Sequence, residues 1–277
     1  MNYKIYDRLP SAVAHIADIH KYCHIRHDEF REVTQNFVQD FKERTKNIPR
    51  SERLTLIVGD VFEQKTTISN EAIQDVSEFF HKILEISPIV LVCGNHDLAE
   101  QNLSKTDCLT PIVTAINSPD LFYLKRSQVY DFGAFEIANF SIFEKHRRPD
   151  ELDYPSDKPR IGLFHAPVQN SRTLHKVFDD DHSMKLDYFL GCDVVIMGDI
   201  HQYQVIEHKG IQLVYCGSLI QQDAGESVDG HGYCLWNFND LSHKFIEVEN
   251  SHGIFKIKIE SIEDLLNDNY QTVNYKK

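Results

Sequence analysis

Short apolar runs alternate with longer stretches of helical period through most of the chain, and this alternation predicts an α/β layered fold. Residues 12–17, 54–58, 89–93, 160–164 and 193–197 read as buried strands, being strand-sized and nearly continuous in apolar side chains. Ser69 is placed to cap a helix in which Ala72, Ile73, Val76, Phe79, Phe80, Ile83 and Leu84 recur at helical spacing, and Pro88 stops it. A second helix over about 28–44 carries Phe30, Val33, Phe37 and Phe41 on one side. Strand, helix, strand at this spacing predicts parallel neighbours in a first sheet. Beyond Tyr123, residues 129–132, 134–142, 213–216 and 232–238 read as consecutive strands of a second, more antiparallel sheet. The charged stretch 145–157 reads as an exposed loop. After Val248 the character changes: 255–259 alternates as an exposed strand should, and 261–267 reads as a short helix. The expected organisation is one domain over 1–248 and a C-terminal segment, 249–277, that begins another element.

Each strand-like run ends in residues able to hold a cation. The first leads into Asp18 and His20, the second into Gly59-Asp60, the third into Gly94-Asn95-His96-Asp97, the fourth into His165 and the fifth into Gly198-Asp199-Ile200-His201. Singly these are weak signals, because Gly-Asp is usually a turn and a His after a strand is most often a hydrogen-bonded structural residue. Gly94-Asn95-His96-Asp97 says more, since a bare turn has no use for the His. Together they converge, because neighbouring strands of one sheet deliver the residues at their ends to one edge. Asp, His and Asn donors suit manganese, iron or zinc, and one carboxylate can bridge two ions. Such a pair, roughly 3.5–4 Å apart, can hold a phosphoryl oxygen, ready a water and offset charge on a leaving oxygen. The implied chemistry is hydrolysis of a phosphate ester.

In order and context these motifs resemble the calcineurin-like metallophosphoesterases, over about residues 12–201. The resemblance implies a two-sheet α/β sandwich with flanking helices and two divalent ions, Mn2+ first, with Mg2+ or iron as alternatives. Carried across by motif, Asp18, His20, Asp60 and His201 would hold the first ion with Asp60 bridging, and Asn95, His165 and the Asp199 side chain would complete the second. His96 would act on the leaving oxygen, and Asp97 would either orient it or cap the next segment. Gly59-Asp60-Val61-Phe62 with Ser69-Asn70-Glu71-Ala72-Ile73 is similar to SbcD-type nucleases, the phosphoesterase subunit of the double-strand-break-repair complex, and so is the stretch 215–222 ending in Gly225-Glu226. That narrower likeness implies a DNA exonuclease and endonuclease in end processing, recombination and repair. It also implies a homodimer, an SbcC-like ATPase partner, a capping domain beginning within 249–277, and a cytoplasmic protein of bacterial or phage origin.

Two departures stand out. Asp199 replaces the His of most of the superfamily, and its harder oxygen favours Mn2+ or Mg2+ over softer ions. Glu63 stands where the nuclease branch places a His; it would either pair with His96, as carboxylates do in phosphatases of the superfamily, or open an exposed polar loop. Two other classes stay open: a phosphoesterase acting on small nucleotides or phosphoproteins, and a non-catalytic scaffold, against which the intact ligand set argues.

The 277 residues carry 29 basic and 42 acidic side chains, and the net charge of −13 argues against unassisted adhesion to a polyanion. Two divalent ions contributing about +4 would soften that objection at the active edge. At 42% hydrophobic and 26% charged the chain is ordinary globular protein, which excludes disorder. Lys4, Asp7, Arg8 and Pro10 interrupt the N-terminus, so neither a signal peptide nor a membrane span is expected. Six cysteines without CxxC spacing suit reduced thiols in a cytoplasm. Lys145-His146-Arg147-Arg148, and Lys42, Arg44, Lys46, Arg50 and Arg53, are the basic clusters able to touch phosphates, although such runs are more often solvated loops. His15, His24 and His27 crowd the first motif as partners for its ligands, while His146, His175, His182, His208 and His231 read as surface or satisfied residues. Asp179-Asp180-Asp181 reads as a helix cap or exposed turn.

Overall fold

The first half of the chain alternates strand and helix: β1 (Asn2–Tyr6), β2 (Ala12–Ile16), α1 (His27–Arg44), β3 (Arg53–Val58), α2 (Asn70–Leu84), β4 (Ile89–Val92), α3 (Leu109–Ile116) and β5 (Leu121–Tyr123). Strands then dominate: β6 (Gln128–Gly133), β7 (Glu136–Asn139), β8 (Arg160–His165), β9 (Val194–Gly198), β10 (Gln204–His208), β11 (Ile211–Tyr215), β12 (Gly232–Asn237) and β13 (Ser242–Glu247). The computed structural model describes residues 2–173, 176–179, 183–259, 261–266 and 271–272. The readings made for His175, His182, Asp180, Asp181 and the helix end at Asn267 lie outside the described residues.

Two mixed sheets form an α/β sandwich, with strand orders β13-β12-β2-β3-β4-β5 and β1-β6-β7-β8-β9-β11-β10. β2 to β5 run parallel, as the alternation with α1, α2 and α3 predicts. The second sheet is less antiparallel than its sequence suggests, because β7, β8, β9 and β11 are parallel neighbours. β12 leaves that sheet altogether and lies antiparallel to β2, with Cys234 opposite His15. An alternating run shows that a segment is a strand but not which open edge it will take. The predicted strand 134–142 is cut to β7, because Ser141 turns the chain into a 3-10 helix and its Oγ accepts a bond from the Phe143 amide.

Alternate side chains sort into layers. Val13, Leu56, Val58 and Val92 meet Phe132, Ile161, Leu163 and Ile196 of the other sheet. Ala14, Ile16, Ile57 and Leu91 face outward and are covered by Phe30, Phe37, Val76, Phe79 and Phe80 of α1 and α2. Each fully buried Phe contributes about 1.5–3 kcal/mol. On the far side, Phe164, Val195, Met197 and Tyr215 pack under Phe140, Leu186 and Phe189. α2 begins as predicted, with Ser69 Oγ accepting from the Ala72 amide at 3.2 Å.

Beyond β13 the chain stays tied to α1, Asn250 bonding Glu29 and Ser251 bonding Glu32, and the Ile254 amide donates to Gln221. A two-stranded ribbon of β14 (Ile257–Lys258) and β15 (Gln271–Thr272), with α4 (Ile262–Leu266) between them in sequence, follows. All six cysteines are free, five of them buried and Cys108 partly so. Among the described residues no helix is long and apolar enough to cross a membrane.

Candidate metal centre

Strands from both sheets, not one, bring the ligand motifs together: β2, β3 and β4 from the first and β8 and β9 from the second. At the strand ends the backbone turns sharply, with Asp18, His20, Asp60 and Asp199 at φ 51°, 46°, 51° and 87°. Left-handed non-glycine residues cost about 1–3 kcal/mol each and persist only where their surroundings hold them. Here the Asp18 amide donates to the Gly59 carbonyl and the Ile19 and His20 amides to the Asp60 carbonyl, which locks the two loops together. Gly94 and Gly198 allow the close approach: a Cβ at Gly94 would strike the Asp60 carboxylate and the His165 ring, and one at Gly198 the Val58 carbonyl and the same ring.

The predicted donors lie side by side. His20 Nε2 and His201 Nε2 are 3.2 Å apart, and Asp18 Oδ1 stands 3.9 and 4.0 Å from them. Asp60 Oδ2 is 3.7 Å from His20 Nε2 on one side and 3.2 Å from His165 Nε2 on the other. His165 Nε2 is in turn 3.1 Å from Asn95 Oδ1 and 3.9 Å from Asp199 Oδ1. Atoms sharing one ion at about 2.0–2.2 Å lie about 3–4.3 Å from one another. Among the described residues Asp18, His20 and His201 converge closely enough to hold a cation, as do Asp18, Asp60 and His165, and Asp60 Oδ2 stands between His20 and His165.

The tautomers fit as well. His165 Nδ1 is 2.7 Å from the Val58 carbonyl, to which it can only donate, leaving Nε2 for the donor set. His201 Nδ1 is 2.6 Å from Glu226 Oε1, with the same consequence. His20 Nδ1 lies 2.7 Å from Glu63 Oε2, an ion-pair contact without hydrogen-bond alignment. Burial pushes the Asp18 carboxyl up, with neighbouring imidazoles opposing. At Asp60 burial also pushes upward, but the charge and hydrogen bond of His165 outweigh it and hold the carboxyl well below its usual range. Burial lowers His165 and His201, yet Asp60 lifts the first well above its ordinary value and Glu226 lifts the second to about 9. These carboxylates demand positive charge, which protons on the imidazoles or divalent cations can supply.

Three further groups of residues take definite places. Asp97 does not orient His96: it is fully buried, and its carboxylate accepts from the Val61, Phe62 and Gly94 amides at 3.0 Å each. It holds the motif loop in shape, because three backbone donors outcompete a ring for a buried carboxylate. Glu63 does reach His96, its Oε2 lying 3.6 Å from a ring Nδ1 that bonds the Glu63 carbonyl at 2.9 Å, and it contacts His20 more closely still, at 2.7 Å. His15 and His27 do not serve the ligands, since His15 bonds the Met197 carbonyl and His27 contacts Lys21 and Asp75. Glu226, the residue that sequence reasoning left without a role, closes the motif at 225–226. Its signal was visible only as a carboxylate in a family-like stretch.

Most of the basic clusters serve the fold. Arg44, Lys46 and Arg50 pair with Asp40, Glu43 and Asp120, and Arg53 bonds the Ile48 carbonyl. His208 pairs with Asp187 and His231 bonds Ser218, as satisfied residues do.

A protein-family model described as calcineurin-like phosphoesterase matches residues 11–203. An uncharacterized protein of Acanthamoeba polyphaga mimivirus is 35% identical over 258 residues, which make up 89% of the chain and 19% of that relative's length. Phosphopantetheinyl hydrolase from Mycobacterium tuberculosis aligns with a TM-score of 0.43 at 12% identity, covering 75% of the chain and 89% of that structure. A hypothetical protein from Pyrococcus horikoshii OT3 aligns at 0.47 and 12%, covering 87% and 88%.

Proposed function

Because the chain belongs to the calcineurin-like phosphoesterase family, whose work is metal-dependent hydrolysis of phosphate esters, we propose that its substrate is DNA and that it is a nuclease. The observation that carries the chemistry is Asp60 at the shared corner of two donor sets, with His96 held beside them by an Asp60 bond to its amide at 2.8 Å. Support for DNA comes from the nuclease-like stretches 59–73 and 215–226, the second of which supplies Glu226 to His201.

In this reading Asp18, His20, Asp60 and His201 hold one ion and Asn95, His165, Asp60 and Asp199 the other, with Mn2+ the preferred metal. Bound there, the ions would polarise the phosphoryl oxygen and ready a water for attack. The chain's own part is to hold ligands and move a proton. His96 Nδ1 donates to the Glu63 carbonyl, so the ring in its imidazolium form carries a second proton on Nε2, which it hands to the departing oxygen, leaving the neutral Nδ1–H tautomer. With a net charge of −13, grip on DNA would come from elsewhere, and a second copy and an SbcC-like ATPase are the proposed partners.

Glu63 favours a second reading, a phosphoesterase for small nucleotides or phosphoproteins, since a carboxylate stands where the nuclease branch has a His. Assays with Mn2+ on linear and single-stranded DNA, beside bis-p-nitrophenyl phosphate, separate the two. DNA cleavage is expected. His96→Ser should lower it by about 10²–10⁴ with metal binding kept. Asp60→Ala should lose both. Turnover of the small diester with no DNA cleavage would establish the second reading, and no turnover of either would end both.

A further inference from the structure

We propose that Lys145 forms a subsite for the phosphate next to the scissile one, so that the site selects a polynucleotide strand over an isolated phosphodiester; this rests on the phosphoesterase reading above. A cleft of about 410 Å3 opens beside the second donor set, with Asn95, His165 and Asp199 lining it together with Glu100, Lys145 and His146. A phosphate held at that donor set therefore has Lys145 along one way out of the site.

The loop that carries Lys145 is built to hold it there. Lys145 and His146 are consecutive left-handed residues, at φ 54° and 57°. Two such non-glycine residues together represent strain of about 2–6 kcal/mol, which the neighbouring contacts must hold. The Lys145 amide donates to the Ile142 carbonyl and the His146 amide to the Ser141 carbonyl. His146 Nδ1 donates to the Phe140 carbonyl at 3.0 Å, and its ring packs on Phe164 with centroids 4.8 Å apart. Arg147 bonds the Ser127 carbonyl, and Arg148 bonds the Tyr188 and Leu190 carbonyls. The two arginines are thus engaged in anchoring the loop. The Lys145 ammonium is exposed and makes no ion pair or hydrogen bond among the described residues.

The surrounding charges give the cleft a direction. Glu100, on the same cleft, is paired with Lys65 at 2.6 Å, which offsets its repulsion of an anion. On the His201 side a second cleft, about 430 Å3, presents Asp223, Glu226 and Asp229, and neither Lys nor Arg lines it. A strand's next phosphate therefore finds an unengaged ammonium on the Lys145 side and neither Lys nor Arg on the other. An isolated diester has a single phosphate, which the donor sets would occupy, and gives Lys145 nothing to bind.

The test compares wild type, Lys145→Ala and Lys145→Arg on single-stranded oligonucleotide and on bis-p-nitrophenyl phosphate. The ratio of kcat/KM for the two substrates should fall about tenfold in Lys145→Ala, and its dependence on log salt should flatten by about 0.7, the loss of one phosphate contact on a single strand. Lys145→Arg should restore most of the ratio. Anisotropy of labelled oligothymidylate with Ca2+ in place of Mn2+ reads binding without turnover, and Kd should weaken by a similar factor, about tenfold. An unchanged ratio and unchanged Kd in Lys145→Ala would overturn the subsite while leaving the phosphoesterase reading intact. Wild-type protein inert toward both substrates would instead sink that reading, with the anisotropy still deciding whether Lys145 binds a strand.

Discussion

Glu226 places Oε1 2.6 Å from His201 Nδ1 and accepts the Gln222 amide on its other oxygen at 2.7 Å, so it is itself held while it holds the ring. Removing a carboxylate behind a metal-binding imidazole typically costs about 10–100-fold in metal affinity. Glu226→Ala should therefore weaken Mn2+ binding by about that factor in calorimetric titration, with Glu226→Gln losing less because its amide oxygen still accepts the bond. Unchanged affinity in Glu226→Ala would remove it from the centre. The seven candidate donors themselves were legible, because each follows an apolar run. The roles of Glu226 and Asp97 were not, since a carboxylate next to a motif has the same sequence signature whether it faces a ring or three backbone amides.

At the scale of elements, the loop carrying His20 is fastened to the helices by a buried charge cluster. Lys21 is 1% exposed, with its ammonium 2.6 Å from Asp75 Oδ2 of α2, 2.8 Å from His27 Nδ1 and over the Phe30 ring. Arg31 of α1 takes the other Asp75 oxygen at 2.7 Å. Removing one partner from a buried pair leaves an uncompensated charge and costs about 3–5 kcal/mol. Asp75→Ala should thus lower unfolding free energy by about 3 kcal/mol in urea titration, while Lys21→Met with Asp75→Leu, which removes both charges, should recover much of it. A loss below about 1 kcal/mol for Asp75→Ala would mean that water already reaches the cluster. The helix period of α2 was visible in its apolar residues. Its single buried acid lay inside that pattern and gave no sign of a partner on another element.

For the molecule as a whole, the charged centre links stability to pH and metal. Burial raises the Asp18 and Asp97 carboxyls, so the native chain keeps protons there that the unfolded chain releases above about pH 4. His165 and His201 are also raised, the latter to about 9, so their contribution is complete below about pH 6.5 and is lost as pH rises. Opposing them, Asp60, held low by His165, loses stability as pH falls in the acid range, and His15, lowered by burial to about 3, loses it below about pH 6.5, as do the part-buried His146 and His243. In chelator the melting temperature should therefore decline between about pH 7 and pH 9, where the lowered histidines are already neutral in both states. Mn2+ should raise the melting temperature, stabilising the fold by about 2.7 kcal/mol per ion at a hundredfold excess over Kd, and more at the alkaline end, where ligands lose their protons more readily. Differential scanning fluorimetry with and without Mn2+ checks both; a chelated protein that gains stability toward pH 9 would contradict the linkage.

Local information in the sequence determined the period-two and helical runs, the parallel first sheet and the ligand types at five strand ends. These features follow from how neighbouring residues alternate and where an apolar run stops. Only the tertiary structure decided that β12 would pair with β2, that two sheets rather than one would furnish the centre, and which carboxylate would face which imidazole. Those outcomes depend on edges and side chains far apart in the chain, as with His201 and Asp18, whose separation of 183 positions carries no periodic signal but closes to 4.0 Å once both sheets pack.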